Sequence, residues 1–224
     1  YKGKTIPAYD MIKFSVTMHR GCFGGCSFCT ISAHQGKFIA SRSEASILKE
    51  VELIAQDAQF KGYISDLGGP SANMYQLRGK NIELCQKCKK PACLHPSICK
   101  NLDTNHAPLI NLYRKVRALP GIKKATIGSG IRYDLATPDY LKEVIEHHVS
   151  GRLKVAPEHT EDGVLNLMRK PSFTLFEALN RDFNRICREN NLRYQLIPYF
   201  ISSHPGCHES DMKALSSKVL GKLN

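Results

Sequence analysis

His19-Arg20-Gly21-Cys22-Phe23-Gly24-Gly25-Cys26-Ser27-Phe28-Cys29 sets three cysteines in a C-x3-C-x2-C pattern on one glycine-rich loop. That spacing lets a short loop offer three thiolates to an iron-sulfur cluster while one iron keeps an open position. The residues around the cysteines suit the task. Arg20 and the loop amides favour thiolates, and Gly21, Gly24 and Gly25 permit the positive-φ turns that aim successive N–H groups inward. Two other readings fit the same letters. A zinc knuckle would recruit His19 or His34 as fourth ligand, and three unrelated core thiols would need no metal.

Outward from the loop, residues 12–18 alternate as a strand does and run straight into the cysteines, so the loop is expected at a strand's C-terminal end. Ser43 then caps a helix in which Ile47, Val51, Ile54 and Ala58 recur every three or four residues. A second strand over 61–67 breaks at Gly68-Gly69-Pro70. A helix over 108–119 precedes a third strand over 124–128, and Thr137-Pro138 opens another helix with threonine as cap and proline at its first position. A fourth strand over 153–156, a helix over 173–190, a fifth strand over 192–201 and a last helix from 209 complete the pattern. Strands alternating with helices imply parallel pairing through right-handed crossovers, hence an α/β fold. Polar residues follow every strand, as they would if all strand ends faced one mouth.

The chain has 224 residues, is 42% hydrophobic and carries a formal charge of +12. It fits one domain over 1–224. It begins at Tyr1 and stops within a helical pattern, so it reads as the core of a longer protein. No run of about 18 apolar residues is present, and the expectation is a cytoplasmic protein with no membrane partner. Seven of the nine cysteines fall into two tight groups, which favours metal over disulfides. The second group, Cys85, Cys88, Cys93 and Cys99, lies in a polar insertion over 81–105 with His95 as a spare ligand and Lys87, Lys89, Lys90 and Lys100 around it. Four soft ligands close a zinc site or hold a second 4Fe-4S cluster, and a short segment with little apolar content needs such a staple. The basic charge suits an anionic substrate, RNA or an acidic partner.

The cysteine pattern, with an aromatic residue before the third cysteine, resembles the signature of the radical S-adenosylmethionine (SAM) superfamily. Residues 155–171 and the exit Ser203-His204-Pro205-Gly206 resemble the tRNA and ribosomal-protein methylthiotransferases, and residues 15–207 taken together with the four-cysteine insertion are most similar to the YgiQ family of the superfamily. The resemblance implies a partial (β/α)6-type barrel whose sixth strand lies beyond residue 224. It further implies a 4Fe-4S cluster on Cys22, Cys26 and Cys29, SAM at the open iron, and reductive cleavage of SAM to a 5'-deoxyadenosyl radical. An electron donor such as flavodoxin or ferredoxin would drive that cleavage, on a substrate that the sequence does not name. The backbone of Gly68, Gly69 and Pro70 would receive the SAM amino group, with proline where the superfamily usually has glutamate. Ser129 and Arg132 are candidates for the SAM carboxylate and Glu158 for its ribose. The first two have plain alternatives, a tight Gly-Gly-Pro turn and an Arg132 to Asp134 pair stiffening a turn; His159 either faces substrate or caps the helix that follows. Cys207 is either a hydrogen-atom donor or a tolerated turn residue, and Cys187 a core thiol. The rival function is a metal-stabilised RNA-binding module without radical chemistry.

Overall fold

In the computed structural model, which describes residues 3–222, the residues before the cysteine loop divide differently from the expectation. Pro7 starts a short helix, α1 (Pro7–Ile12), and the strand is only β1 (Ser15–Thr17). Next, β2 (His19–Arg20) leads into the cysteine loop, and α2 (Ile31–His34) leads out of it. β3 (Ala40–Ser41) then pairs antiparallel with β2. The loop is thus held at its base by a local pairing that two-residue strands cannot announce by periodicity.

Ser43 caps α3 (Glu44–Ala55) by accepting from the Ser46 N–H, and Ile47 and Val51 are its buried stripe. The expected strand over 61–67 is interrupted at Ser65 into β4 (Tyr63–Ile64) and β5 (Asp66–Gly68). The break has a physical cause. β5 pairs parallel with β1 and β4 pairs parallel with the later strand at 124–125, so Ser65 is where the segment changes partner. In the insertion, Asn81 caps α4 (Ile82–Lys87). α5 (Ala107–Ala118), with Leu109, Leu112, Tyr113 and Val116 buried, leads to β6 (Lys124–Ala125). Thr137 caps α6 (Pro138–Glu143) through the Tyr140 N–H, and a π-helical turn, Val144–His148, continues it.

β7 (Arg152–Glu158) is longer than expected, and α7 (Asp162–Met168), the helix expected after His159, follows it. The amphipathic α8 (Phe173–Glu189) buries Phe176, Leu179, Phe183 and Ile186. It returns the chain to β8 (Gln195–Phe200), parallel to β7, and α9 (Glu209–Lys222) ends the described chain. The core runs from Val16 and Leu67 through Leu112 and Val144 to Leu153 and Phe183. A smaller apolar cluster of Phe23, Met74, Leu77, Leu94, Leu102 and Leu135 seats the insertion against the cysteine loop. Among the described residues no helix is long and apolar enough to cross a membrane.

Candidate active site

Cys22, Cys26 and Cys29 line one cavity of ≈ 270 Å³ together with Pro70 and Ser71 after β5, residues 128–132 after β6, Ala156 and Glu158 on β7, and Tyr199 on β8. The C-terminal ends of the parallel strands therefore meet the loop, as the sequence led one to expect. Arg169 Nη1 donates to the Gly25 carbonyl at 3.1 Å and the Ser27 N–H donates to Met168 O at 3.1 Å, so the end of α7 clamps the loop from the far side.

Gly24 sits directly beneath the thiols. A Cβ there would lie 3.0 Å from Arg132 Nη1, 3.3 Å from Cys22 Sγ and 3.5 Å from Cys26 Sγ. Burial pushes the Cys22 thiol up, while the Gly24 N–H and the Arg132 guanidinium favour the thiolate. Arg132 is itself nearly fully buried. Its Nε and Nη2 donate to the two Asp134 carboxylate oxygens at 2.8 and 2.6 Å, and Nη1 lies 3.4 Å from Cys26 Sγ. Burial alone would lower its pKa, but Asp134 and the thiols of Cys26 and Cys22 raise it above the ordinary arginine value. A permanent cation thus faces the sulfurs. Among the described residues no three His, Cys, Asp or Glu side chains are drawn into the tight cage of a single ion. A cubane cluster spreads its ligands farther apart than one ion does. Three thiols on one cavity wall, a neutralising guanidinium and a glycine with no side chain in the way fit such a cluster.

The Gly-Gly-Pro turn is built by close approach. A Cβ on Gly68 would lie 1.9 Å from Ser129 Oγ and 2.7 Å from Asp66 Oδ1. Asp66 Oδ1 accepts from the Gly128 and Ser129 N–H groups at 2.8 and 3.1 Å and from Ser129 Oγ at 3.2 Å, and the Gly69 N–H donates to Ser129 Oγ at 3.3 Å. This lashes the β5 exit to the β6 exit. Gly68→Ala is expected to destabilise the fold by about 2 kcal/mol through overpacking at this junction, read as a lower denaturation midpoint, whereas Gly163→Ala, in open space on α7, should stabilise slightly and so marks the opposite sign.

Glu158 stands at φ 73, a conformation costly for a non-glycine residue, where the β7–β8 register shifts between Val155 and Glu158. The shift turns its carboxylate toward the cavity. Burial raises its pKa, opposed by Lys170 and Arg132. Lys170 Nζ lies 3.8 Å from Glu158 Oε1 and donates to the Ala156 carbonyl at 2.6 Å. Ser129 and Arg132 line the cavity too, but both are engaged with neighbouring carboxylates. His159 is fully buried. Its Nδ1 accepts from the Glu161 N–H at 3.1 Å, which leaves Nε2 toward Cys207 Sγ at 3.6 Å. That bond is a local turn contact ahead of α7, whose N-cap is Glu161 and carries no side-chain cap bond, and Cys207 has gained a partner.

His19 points away from the cysteines, under the Gly69 turn, where a Cβ on Gly69 would lie 2.5 Å from its Cε1. Both ring nitrogens are buried, and burial lowers the pKa to about 4, opposed by a hydrogen bond with the Ser71 backbone. The unfolded ring titrates near 6.5, so the unfolded chain binds a proton that the folded one refuses. The stability tied to this neutral ring is complete above about pH 6.5 and is lost as the pH falls toward 4. A loss on the order of 2–3 kcal/mol is expected across that window, and His19→Gln should flatten the slope of urea midpoint against pH.

The other three insertion cysteines neighbour Cys93. Cys85, Cys88 and Cys99 all act electrostatically on its thiol, which burial raises. Asn101 Nδ2 lies 3.1 Å from Cys85 Sγ, and a backbone N–H at Lys90 favours the Cys88 thiolate. Sequence reasoning missed Asp66, Lys170 and Asn73. Asn73 exchanges two 2.8 Å hydrogen bonds with the Arg132 backbone and so fixes the β6 exit. Asp66, two residues before a Gly-Gly turn at a strand end, was the one readable signal.

A parallel α/β frame with a cysteine loop over its strand ends is the radical SAM type of fold. Solved structures bear this out: the radical SAM methyltransferase TsrM from Kitasatospora setae aligns over 92% of this chain and 33% of its own at TM-score 0.57 and 15% identity. Methylornithine synthase (PylB) aligns over 92% of this chain and 49% of its own, at TM-score 0.53 and 14% identity. No family profile matches the chain. A UPF0313 protein of Bacteroides thetaiotaomicron is 64% identical over 228 residues, covering 96% of this chain, and one of Pseudomonas syringae pv. tomato is 52% identical over 224 residues, covering 99%. Over nearly its whole length the chain is thus similar to UPF0313 proteins, the YgiQ family, and it shares its fold with radical SAM enzymes. It spans 37% and 29% of the length of those two relatives.

Proposed function

We propose that this chain is the core of a radical SAM enzyme, arranged as a partial barrel, acting on a substrate still to be identified. The observation that carries the reading is the sharing of one cavity by all three cysteines of the loop and the exits of β5, β6, β7 and β8. Cys22, Cys26 and Cys29 would hold a 4Fe-4S cluster, which supplies one electron for reductive cleavage of SAM to a 5'-deoxyadenosyl radical. Arg132 balances the negative charge of the thiolates and is kept charged by Asp134. Pro70 lines the cavity and its carbonyl would receive a ligand ammonium, whereas the Gly68 carbonyl already accepts from the Met18 N–H at 2.8 Å; Ser129 and the residual donors of Arg132 would face the carboxylate. Glu158 accepts from ribose hydroxyls, with Lys170 behind it holding the carboxylate in place. Phe28, Ile31 and Val155 give the cavity apolar walls that keep water from a reactive intermediate. Cys85, Cys88, Cys93 and Cys99 would hold a second 4Fe-4S cluster or, on drawing closer together than they stand here, zinc, and either would staple residues 81–105.

Anaerobic reconstitution with iron and sulfide tests this reading. Broad visible absorption and, on reduction with dithionite, release of 5'-deoxyadenosine from SAM are expected. A protein that takes up zinc alone, or that binds iron yet leaves SAM intact, overturns it. Metal analysis of the same sample separates zinc from iron at the second site.

A further inference from the structure

The insertion carries a charge imbalance that holding a metal does not require. Over residues 78–105 six bases, Arg78, Lys80, Lys87, Lys89, Lys90 and Lys100, stand against two acids, Glu83 and Asp103. All six bases are exposed, and among the described residues none is held in an ion pair. Apolar side chains stand open on the same segment: Ile82 is 49% exposed, Leu84 60% and Ile98 40%. Exposed apolar side chains interspersed with charges of one sign suit a protein-binding surface, and the charge steers an oppositely charged partner to it.

The position of this surface says what partner it fits. The Cys93 N–H donates to the Phe23 carbonyl at 2.9 Å, and a Cβ on Gly25 would lie 2.3 Å from the Pro91 carbonyl oxygen. Lys37 Nζ, reaching from the far end of the cysteine loop, donates to the carbonyls of Cys88 and Lys90 at 3.3 and 2.8 Å. The back of the basic surface is thus the cysteine loop itself. RNA would want aromatic platforms for its bases, and residues 78–105 contain no Phe, Tyr or Trp.

We propose that the insertion is the docking surface for an acidic one-electron donor protein of the flavin or iron-sulfur class, which delivers its electron to the site that it covers. The inference rests on the radical SAM reading. One electron leaves the reduced donor, which is oxidised, and enters the iron-sulfur site of the cysteine loop, which is reduced; no bond is made and no proton moves. The contact is small and transient, with salt-sensitive association.

The test compares two reductants on the intact reconstituted protein. Reduced flavodoxin serves as the acidic protein donor and dithionite as the small one, with cluster bleaching followed by stopped flow. The triple variant Lys80→Glu, Lys87→Glu, Lys89→Glu should slow reduction by flavodoxin about tenfold at low salt, flatten its dependence on ionic strength, and leave reduction by dithionite unchanged. The corresponding triple change to Gln should give a smaller loss of the same kind. Flavodoxin rates that match wild type in both variants, or that are insensitive to salt in the wild type, overturn the proposal. So does an equal loss with both reductants, which would mean a damaged site. Loss of tRNA binding with the flavodoxin rate intact would replace the protein partner by RNA. A wild-type protein that forms no cluster fails the radical SAM reading instead.

Discussion

Cys22→Ala is expected to abolish release of 5'-deoxyadenosine from SAM while leaving the fold in place. The Sγ makes one weak hydrogen bond, from the Gly24 N–H at 3.4 Å, and packs at the edge of the smaller apolar cluster, so its removal costs the fold little. What holds the loop is elsewhere: Ser32 Oγ donates to the Cys22 carbonyl at 2.9 Å, Arg169 grips Gly25, and β2 pairs with β3. The variant should therefore keep its melting temperature within a few degrees when metal-free, but lose one of three protein ligands to the cluster. Iron at this site should fall more than tenfold, since even outer-shell partners of a metal cost about 10–100-fold when removed. Cys187→Ala provides the contrast. That thiol is buried on α8 among core residues, so its loss should lower stability by about 1 kcal/mol and leave cleavage unchanged. If Cys22→Ala still cleaves SAM at the wild-type rate, the ligand assignment is wrong.

The legible part of this protein is what is local. Three cysteines on eleven residues, a serine cap before a 3.6-residue stripe and a Thr-Pro helix start each act within one turn or loop, and each is found where the letters put it. The strands were legible in order but not in extent, because a segment such as 61–68 serves two neighbours and divides at Ser65 to do so. The site's fixings lay beyond reach for a different reason. Asn73 meets Arg132 across 59 positions, and Asp66 meets Ser129 across 63, and no periodicity couples residues that far apart. Arg132 illustrates the consequence. Its proximity to the loop could be guessed from its place after a strand, but its sharing between Asp134 and Cys26 depends on how the β6 exit folds back over the cysteines. Lys170 is similar: nothing in Arg169-Lys170-Pro171 says that one of two adjacent bases clamps the loop while the other is buried beside Glu158.

Asp134→Ala should be among the most destabilising single changes in the chain. Asp134 and Arg132 are 4% and 8% exposed and joined by two parallel hydrogen bonds, so removing the carboxylate strands a buried guanidinium that cannot lose its proton. Breaking such a pair by taking one partner costs about 3–5 kcal/mol, several times the loss from an exposed pair such as Arg185 with Asp182. Deleting both partners should cost less than deleting the acid alone, because no charge is then left buried; Arg132→Met with Asp134→Leu is the check. The cysteines add a condition to this ledger. Once Cys22 and Cys26 are thiolates, they supply the negative charge that Asp134 no longer provides, so metal loading should recover part of the lost stability. Urea midpoints for wild type and Asp134→Ala, each with and without reconstitution, measure that coupling. A gap between the two proteins that narrows on loading means that Arg132 answers electrostatically to the cysteine loop; a gap that stays constant means that the guanidinium only stiffens its own turn.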